Sequence, residues 1–425
     1  MEYATLDFDR RTIEESWSMT SHATKPGFGL LSILLAAVGM APLLTYGLSA
    51  TSDLVISDLG ISEAQFGLLA TVCFGAATLG NLVLGRFSDR QPDTRLFAII
   101  FGLSALALAA AALPGGYVML LVAAALAGFA QSFPNGVTNR VLAQRVPAAQ
   151  RIGWTGIKQS GVQVSQLIGS VGFPLLAAAI GWRGANLAGA LVAVLLGLAA
   201  VRVLNRTALL SAPPAAAAAP ASGAPAASTA AAGASTRFTI ATLALFGFIN
   251  GIGVQATNVY VPLFAVRELH FSLVAGGLTA AVAGVLGVSA RVGWGAMMSR
   301  GIPAPKLLLL LAVIATGGGA SFFLAQHTGS AALLWVAVAL HGASALGVSV
   351  VLMAALLRAI PAGTMGSASG IVSAGQFGGF TVGPLLMGSL ISSPGGFTTG
   401  WLVVTGVYAC CTVLGLFLVL RARAR

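Results

Sequence analysis

The sequence predicts an all-α polytopic membrane protein with twelve transmembrane helices in two pseudo-symmetric six-helix bundles. Three observations carry that prediction. Of the 425 residues, 57% are hydrophobic and 8% charged, with a mean hydropathy of +0.92, whereas an average soluble domain carries about 25% charged residues. Apolar stretches of bilayer-spanning length recur along the whole chain. Residues also repeat at a nearly fixed offset between its two halves.

The chain opens on residues 1–27, which contain Glu2, Asp7, Asp9, Glu14 and Glu15. No apolar run precedes a small-residue cleavage site there, so the segment reads as a cytoplasmic tail and not a signal peptide. Using Gly, Pro and charge clusters as punctuation, twelve apolar segments follow, numbered here helix 1 to helix 12. Their cores lie at 28–50, 64–84, 96–113, 117–139, 152–179, 185–204, 238–264, 273–297, 306–325, 331–357, 366–391 and 399–420. Arg86, Arg90, Arg95, Arg140, Arg145, Arg151, Arg202, Arg206, Arg300, Lys306 and Arg358 fall on the side of the termini, and only Arg183 and Arg267 on the other. That asymmetry predicts cytoplasmic termini in a bacterial-type inner membrane. It also reads the net charge of +11 as topology, with no nucleic acid as partner.

Residues 207–236 are nearly all Ala, Pro, Ser, Thr and Gly, a composition that buries nothing and predicts a cytoplasmic linker. The bundles are then 28–206 and 237–420, with 421–425 as a second cytoplasmic tail. At an offset of 210, Leu59, Ser62, Gly67, Gly85 and Arg90 meet Leu269, Ser272, Gly277, Gly295 and Arg300. At an offset of 214, Leu142, Pro147, Gly156, Gly161 and Gly169 meet Leu356, Pro361, Gly370, Gly375 and Gly383. Parallel six-helix repeats are one of the known transporter plans. Cys73, Cys410 and Cys411 lie inside apolar segments, where they act as small hydrophobes and imply no disulfide framework.

The polar break between helices 2 and 3, Gly85-Arg86-Phe87-Ser88-Asp89-Arg90-Gln91-Pro92-Asp93-Thr94-Arg95, has a weaker copy at Gly295 to Arg300. This stretch resembles the loop signature of the major facilitator superfamily, G-x-x-x-D-R/K-x-G-x-R/K-R/K, through Gly85, Asp89, Arg90 and Arg95. Pro92 stands where the second glycine falls. The likeness covers residues 28–420, and it implies a gate on the cytoplasmic side. Gly85 lets helix 2 approach helix 11, and Asp89 faces both the start of helix 11 near Gly366 and Arg140. A carboxylate at a helix N-terminus meets the positive end of its dipole. The second half has Ser299 in place of the acid, so one such latch is expected. The family's glycine and proline run is present in part in helix 5 (Gly161, Gly169, Gly172, Pro174) and more fully in helix 11 (Gly370, Gly379, Gly383, Pro384, Gly388). Both read as packing or rocking surfaces. The arginine that proton antiporters carry in helix 4 is absent, since nothing from Tyr117 to Asn139 is charged.

The resemblance also implies that helices 1, 4, 7 and 10 line a cavity with help from 2, 5, 8 and 11. Amides collect there. Gln131, Asn135 and Asn139 recur at every fourth residue of helix 4 and share one face. Lys158, Gln159 and Gln163 mark helix 5, with Gln166 a turn beyond, and Asn250, Gln255 and Asn258 mark helix 7. Amides in hydrocarbon are costly unless they meet each other or water. Three such stripes predict a wet cavity, the competing reading being interhelical glue.

No acid falls at mid-membrane, yet Lys158 and Arg291 lie inside helices. A mid-helix cation costs about 2.5 to 3.5 kcal/mol on insertion scales unless it reaches water or an anion, so an anionic substrate is the natural counter-ion. Arg291 begins Arg-x-x-x-Gly in helix 8, an arrangement similar to that of the family's monocarboxylate carriers. His341, near the middle of helix 10, is the candidate for carrying a coupled proton, and Tyr46 in helix 1 is a further cavity candidate. The expectation is a monomeric secondary transporter of a small organic anion, working by alternating access with a coupled proton or an exchanged anion and needing no cofactor. The alternative is an exporter of drug-like or amphiphilic compounds. An intramembrane hydrolase is disfavoured: there is no H-E-x-x-H, and His341 with Ser344 is an ordinary one-turn pair.

Overall fold

The computed structural model describes residues 27–84, 87, 88, 90–209, 233–359 and 365–423. Gly85 and Asp89, most of the first tail and the middle of the linker lie outside them. Eight helices are each long and apolar enough to cross a membrane, and two bent pairs raise this to ten. The 49-residue helix Gly161–Leu209 is interrupted at Gly181 (φ 72°, ψ 164°). This is backbone that glycine adopts without strain, and it separates helix 5 from helix 6. Helix 11 is Met365–Ile391, long enough to span but not among those ten.

Helix 1 is three pieces, Phe28–Met40, Pro42–Ala50 and Ser52–Leu59. The first two meet at 57°, because Pro42 has no N–H to give and its ring crowds the preceding turn. The third piece overruns the predicted end at residue 50. Asp53 and Asp58 had ended the apolar segment, but both acids are spent on ion pairs and the helix continues as a collar. Helix 2 (Glu63–Val83) starts at a capping box, with Ser62 accepting from the Gln65 backbone and the Gln65 side chain accepting from Ser62 N–H. Its repeat partner Ser272 caps helix 8, Leu273–Ser299, by accepting from Ala275 N. The duplication read from sequence is therefore present in local hydrogen bonding.

Breaks obey the same symmetry. Helix 4 is divided between Gly116–Gln131 and Pro134–Arg145, and helix 10 between Ala331–Ala343 and Val348–Ala359, with a 3-10 turn Ala345–Gly347 between. Helices 3, 7, 9 and 12 run Asp93–Ala112, Ala234–Arg267, Ala304–Thr328 and Gly396–Arg423. Helix 6 turns Leu187, Leu191, Leu195 and Leu198 outward, each more than half exposed. That stripe suits a lipid-facing helix, since water would make it an aggregation surface.

The bundles meet through two related contacts. On helix 2, Gly67 lies against the Pro384 carbonyl of helix 11, where an added Cβ would overlap the oxygen. On helix 8, Gly277 lies against the Ser170 carbonyl and Pro174 ring of helix 5, with the same consequence. Gly67 and Gly277 are a pair at offset 210, and so are Pro174 and Pro384. Each half supplies one glycine and one proline.

The hydrogen bonds and ion pairs joining the bundles cluster on the face opposite the termini. Arg267 of helix 7 reaches Asp53 at 2.7 Å and Glu63 at 2.6 Å. Tyr260 Oη donates to the Glu63 carbonyl at 2.6 Å, and Ser392 Oγ to the Glu63 carboxylate at 3.1 Å. Deeper in, Thr71 Oγ1 donates to Thr381 O at 2.7 Å and Gln166 Nε2 to Ala280 O at 2.9 Å. This face is closed.

Candidate functional site

In the second bundle the break in helix 10 organises the polar groups. Its carbonyls lose regular helical geometry, and side chains from neighbouring helices supply donors. Trp294 Nε1 donates to Ala343 O at 2.7 Å, Asn250 Nδ2 to Ala345 O at 3.2 Å and Arg291 Nε to Leu346 O at 2.9 Å. Arg291 is half-buried, and neither of its terminal nitrogens has a partner among the described residues. Its guanidinium lies within electrostatic range of the Tyr46 hydroxyl in the other bundle. Tyr46 rests against Gly169 of helix 5.

His341 is buried between two helices. Its Nε2 is 3.2 Å from Asn258 Oδ1 and its Nδ1 is 3.4 Å from Tyr408 Oη. With the proton on Nε2, the ring donates to the amide and accepts from the phenol. Gln255 is buried on the same helix as Asn258. Tyr408 was not singled out from sequence: a lone tyrosine in an apolar helix 12 gives no periodic signal.

In the first bundle Lys158 has no exposed surface. Its Nζ donates to Thr138 Oγ1 at 2.7 Å and Asn139 Oδ1 at 2.6 Å, and Thr138 Oγ1 in turn donates to Pro134 O at 2.5 Å. One turn away Gln159 Nε2 donates to Asn135 Oδ1 at 3.0 Å. Asn135, Asn139 and Gln159 are exposed. Gln131 sits deeper and donates to Cys73 Sγ at 3.1 Å. On helix 5 the buried Gln163 Oε1, Ser165 Oγ and Ser170 Oγ have no partner among the described residues. Gly284 leaves room for the neighbouring Gln166 amide.

The structure therefore divides the predicted residues into clusters. Lys158, Asn139, Asn135 and Gln159 come together between helices 4 and 5, His341 joins Asn258, and Arg291 stands apart with Tyr46 opposite. The described acids lie near the helix ends: Asp58 pairs with Arg183 at 2.6 Å, Asp53 and Glu63 with Arg267, and Asp93 with Arg140 at 2.7 Å. Neither Lys158 nor Arg291 has an acid partner among the described residues.

Around the loop after helix 2, Arg140 was expected to meet Asp89, which lies outside the described residues. Among the described residues its guanidinium holds Asp93, and also donates to the carbonyls of Ser88 and Gln91, both at 3.1 Å. Asp93 opens helix 3, so it gains from that helix's dipole as well as from the arginine. Arg90 is exposed in the turn.

Residues 33–373 match the Major Facilitator Superfamily. The chain belongs to that family. It is a secondary transporter and not an enzyme. No curated protein matches the sequence. Among solved structures, the nucleoside transporter NupG is similar at a TM-score of 0.69 and 15% identity, over 91% of this chain and 98% of that one. A bacterial homologue of the human lysosomal transporter Spinster, solved inward-facing and occupied, gives 0.67 and 17%, over 92% and 94%. At such identities these likenesses speak to the fold alone.

Proposed function

We propose that this superfamily member moves a small organic anion by alternating access, with Arg291 as its principal ligand. One observation carries the reading: a guanidinium inside a membrane helix has no carboxylate beside it among the described residues and lies within electrostatic range of a phenol from the opposite bundle. A planar fork with two free nitrogens suits a carboxylate bidentately. A ligand held by Arg291 on one side and Tyr46 on the other would tie the bundles together, which is what coupling binding to rocking requires.

Gln163, Gln255 and Asn250 orient the ligand, and the amides Asn135, Asn139 and Gln159 line its way to the side of the termini. Lys158, behind Asn139, adds positive potential. His341 serves a coupled proton, or an exchanged anion takes that place. The protein works as a monomer in a bacterial-type inner membrane with cytoplasmic termini, and on that orientation the closed face is the outer one.

The deciding experiment is uptake of labelled monocarboxylates and dicarboxylates into proteoliposomes. Uptake should collapse in Arg291→Ala; rates unchanged in both Arg291→Ala and Lys158→Ala would sink the proposal. A second reading, export of amphiphilic compounds, draws support from the apolar lining that Leu44, Leu48, Phe66, Leu69, Ala70 and Val259 give to a small cavity of about 20 Å³. A resistance profile of a deletion strain separates the two.

A further inference from the structure

Helix 7 contains Pro262. In an α-helix the carbonyl of residue i accepts from the N–H of residue i+4, and proline has none. Asn258 C=O therefore has no donor within its own helix. A buried carbonyl left bare costs about 1 to 3 kcal/mol, so something must fill the place.

The donor comes from the other bundle. Ser49 Oγ of helix 1 lies 3.1 Å from Asn258 O and 2.7 Å from Val259 O, one hydroxyl bridging the two carbonyls beside the proline. Ser49 is 3% exposed, and its hydroxyl makes no bond to its own helix among those described. It stands 210 residues from Val259, the offset of the internal repeat, so helices 1 and 7 meet here at equivalent positions across the pseudo-two-fold axis. The same Asn258 holds His341 Nε2 through its side chain. Its carbonyl thus fastens helix 7 to the opposite bundle, and its amide fastens helix 7 to helix 10.

We propose that Asn258 is a positioning residue that links the cavity to the outer gate, with Pro262 supplying the free carbonyl and Ser49 closing it. In the closed state Ser49 satisfies the carbonyl. When the outer face opens, water entering the gap takes over that role, so the bond costs little to break but penalises any closed state that lacks it. A ligand that draws the Asn258 amide off His341 loosens helix 7 from helix 10 at the residue where helix 7 grips helix 1. This link rests on reading the facing sides of helices 7 and 10 as cavity lining.

The test uses the full-length protein with its native cysteines replaced and spin labels at Ser57→Cys and Thr328→Cys, both exposed near the outer face. Electron–electron distance distributions are recorded without substrate. Ser49→Ala should raise the long-distance population about fivefold, the effect of stranding one buried carbonyl. Asn258→Ala should also raise it, while Asn258→Asp, which keeps an oxygen facing His341, should match the parent. In Pro262→Ala the carbonyl of Asn258 regains an in-helix donor, and adding Ser49→Ala should then raise the population less than it does in the parent, since only the bond to Val259 O is lost. A silent Ser49→Ala in the parent, or an undiminished effect of Ser49→Ala in the Pro262→Ala background, would overturn the proposal. No substrate enters the measurement, so either result leaves the anion reading to be judged by transport alone.

Discussion

Lys158 and Arg291 look alike in the sequence: each is a cation inside an apolar helix with no acid in view. The structure separates them. Lys158 is sealed between helices 4 and 5 on two neutral oxygens, whereas Arg291 uses one nitrogen on a broken stretch of helix 10 and lies within electrostatic range of Tyr46. A mid-membrane charge marks a place that needs an explanation, and only its hydrogen-bond partners tell which explanation applies. Three substitutions sharpen that contrast, and three more test the interface around it.

The largest effect should come from Arg291. Truncation to Ala should lower anion uptake about 100-fold, because the ligand's charge would be buried without its partner. Arg291→Lys should recover little, since a point charge does not reproduce a planar fork. Full recovery by lysine would mean that charge alone suffices.

The glycine contacts between bundles come next. Gly277→Val should drive helix 8 off the Ser170 carbonyl and open the outer face, read as faster reaction of a cysteine introduced beneath that face with an impermeant maleimide, with Gly67→Val behaving alike by symmetry. Opening by one and not the other would show that the two-fold likeness stops at the backbone. Lys158→Met should change the melting temperature by only a few degrees in either direction, because a buried ion exchanged for an apolar side chain of similar volume is often neutral or stabilising. A loss of stability beyond about 3 kcal/mol would show Lys158 to be essential to the helix 4 and 5 contact. The smallest effect belongs to Arg267→Ala. Its pairs are partly exposed, so the closed state should lose about 1 kcal/mol, and less in high salt. Salt independence would argue against a screened rim.

The fold was legible because hydrocarbon leaves little choice: each crossing needs a full apolar segment, and duplicated segments carry matched marks such as Ser62 and Ser272. Where polar residues end a segment the reading stopped early, as at Asp53, whose charge Arg267 neutralises from more than 200 residues away. The site was legible as a set of residues but not as pairs. Nothing in sequence says that His341 meets Tyr408, that Lys158 spends its protons on Thr138, or that Arg140 takes Asp93. Such partners depend on how helices rotate against one another. The break in helix 10 was missed because Ser344-Ala345-Leu346-Gly347 contains no proline, and its visible cue is a glycine against which Trp294 packs.

Those paired breaks in helices 4 and 10 have a mechanical consequence. A rod whose hydrogen-bond ladder is interrupted bends at the interruption, and here the two soft points lie at corresponding positions in the two bundles, Ser132–Phe133 and Ser344–Gly347. Tilt applied at the outer ends is then passed on incompletely to the inner ends. Each bundle is a jointed lever, with its joint beside the residues proposed to hold the cargo.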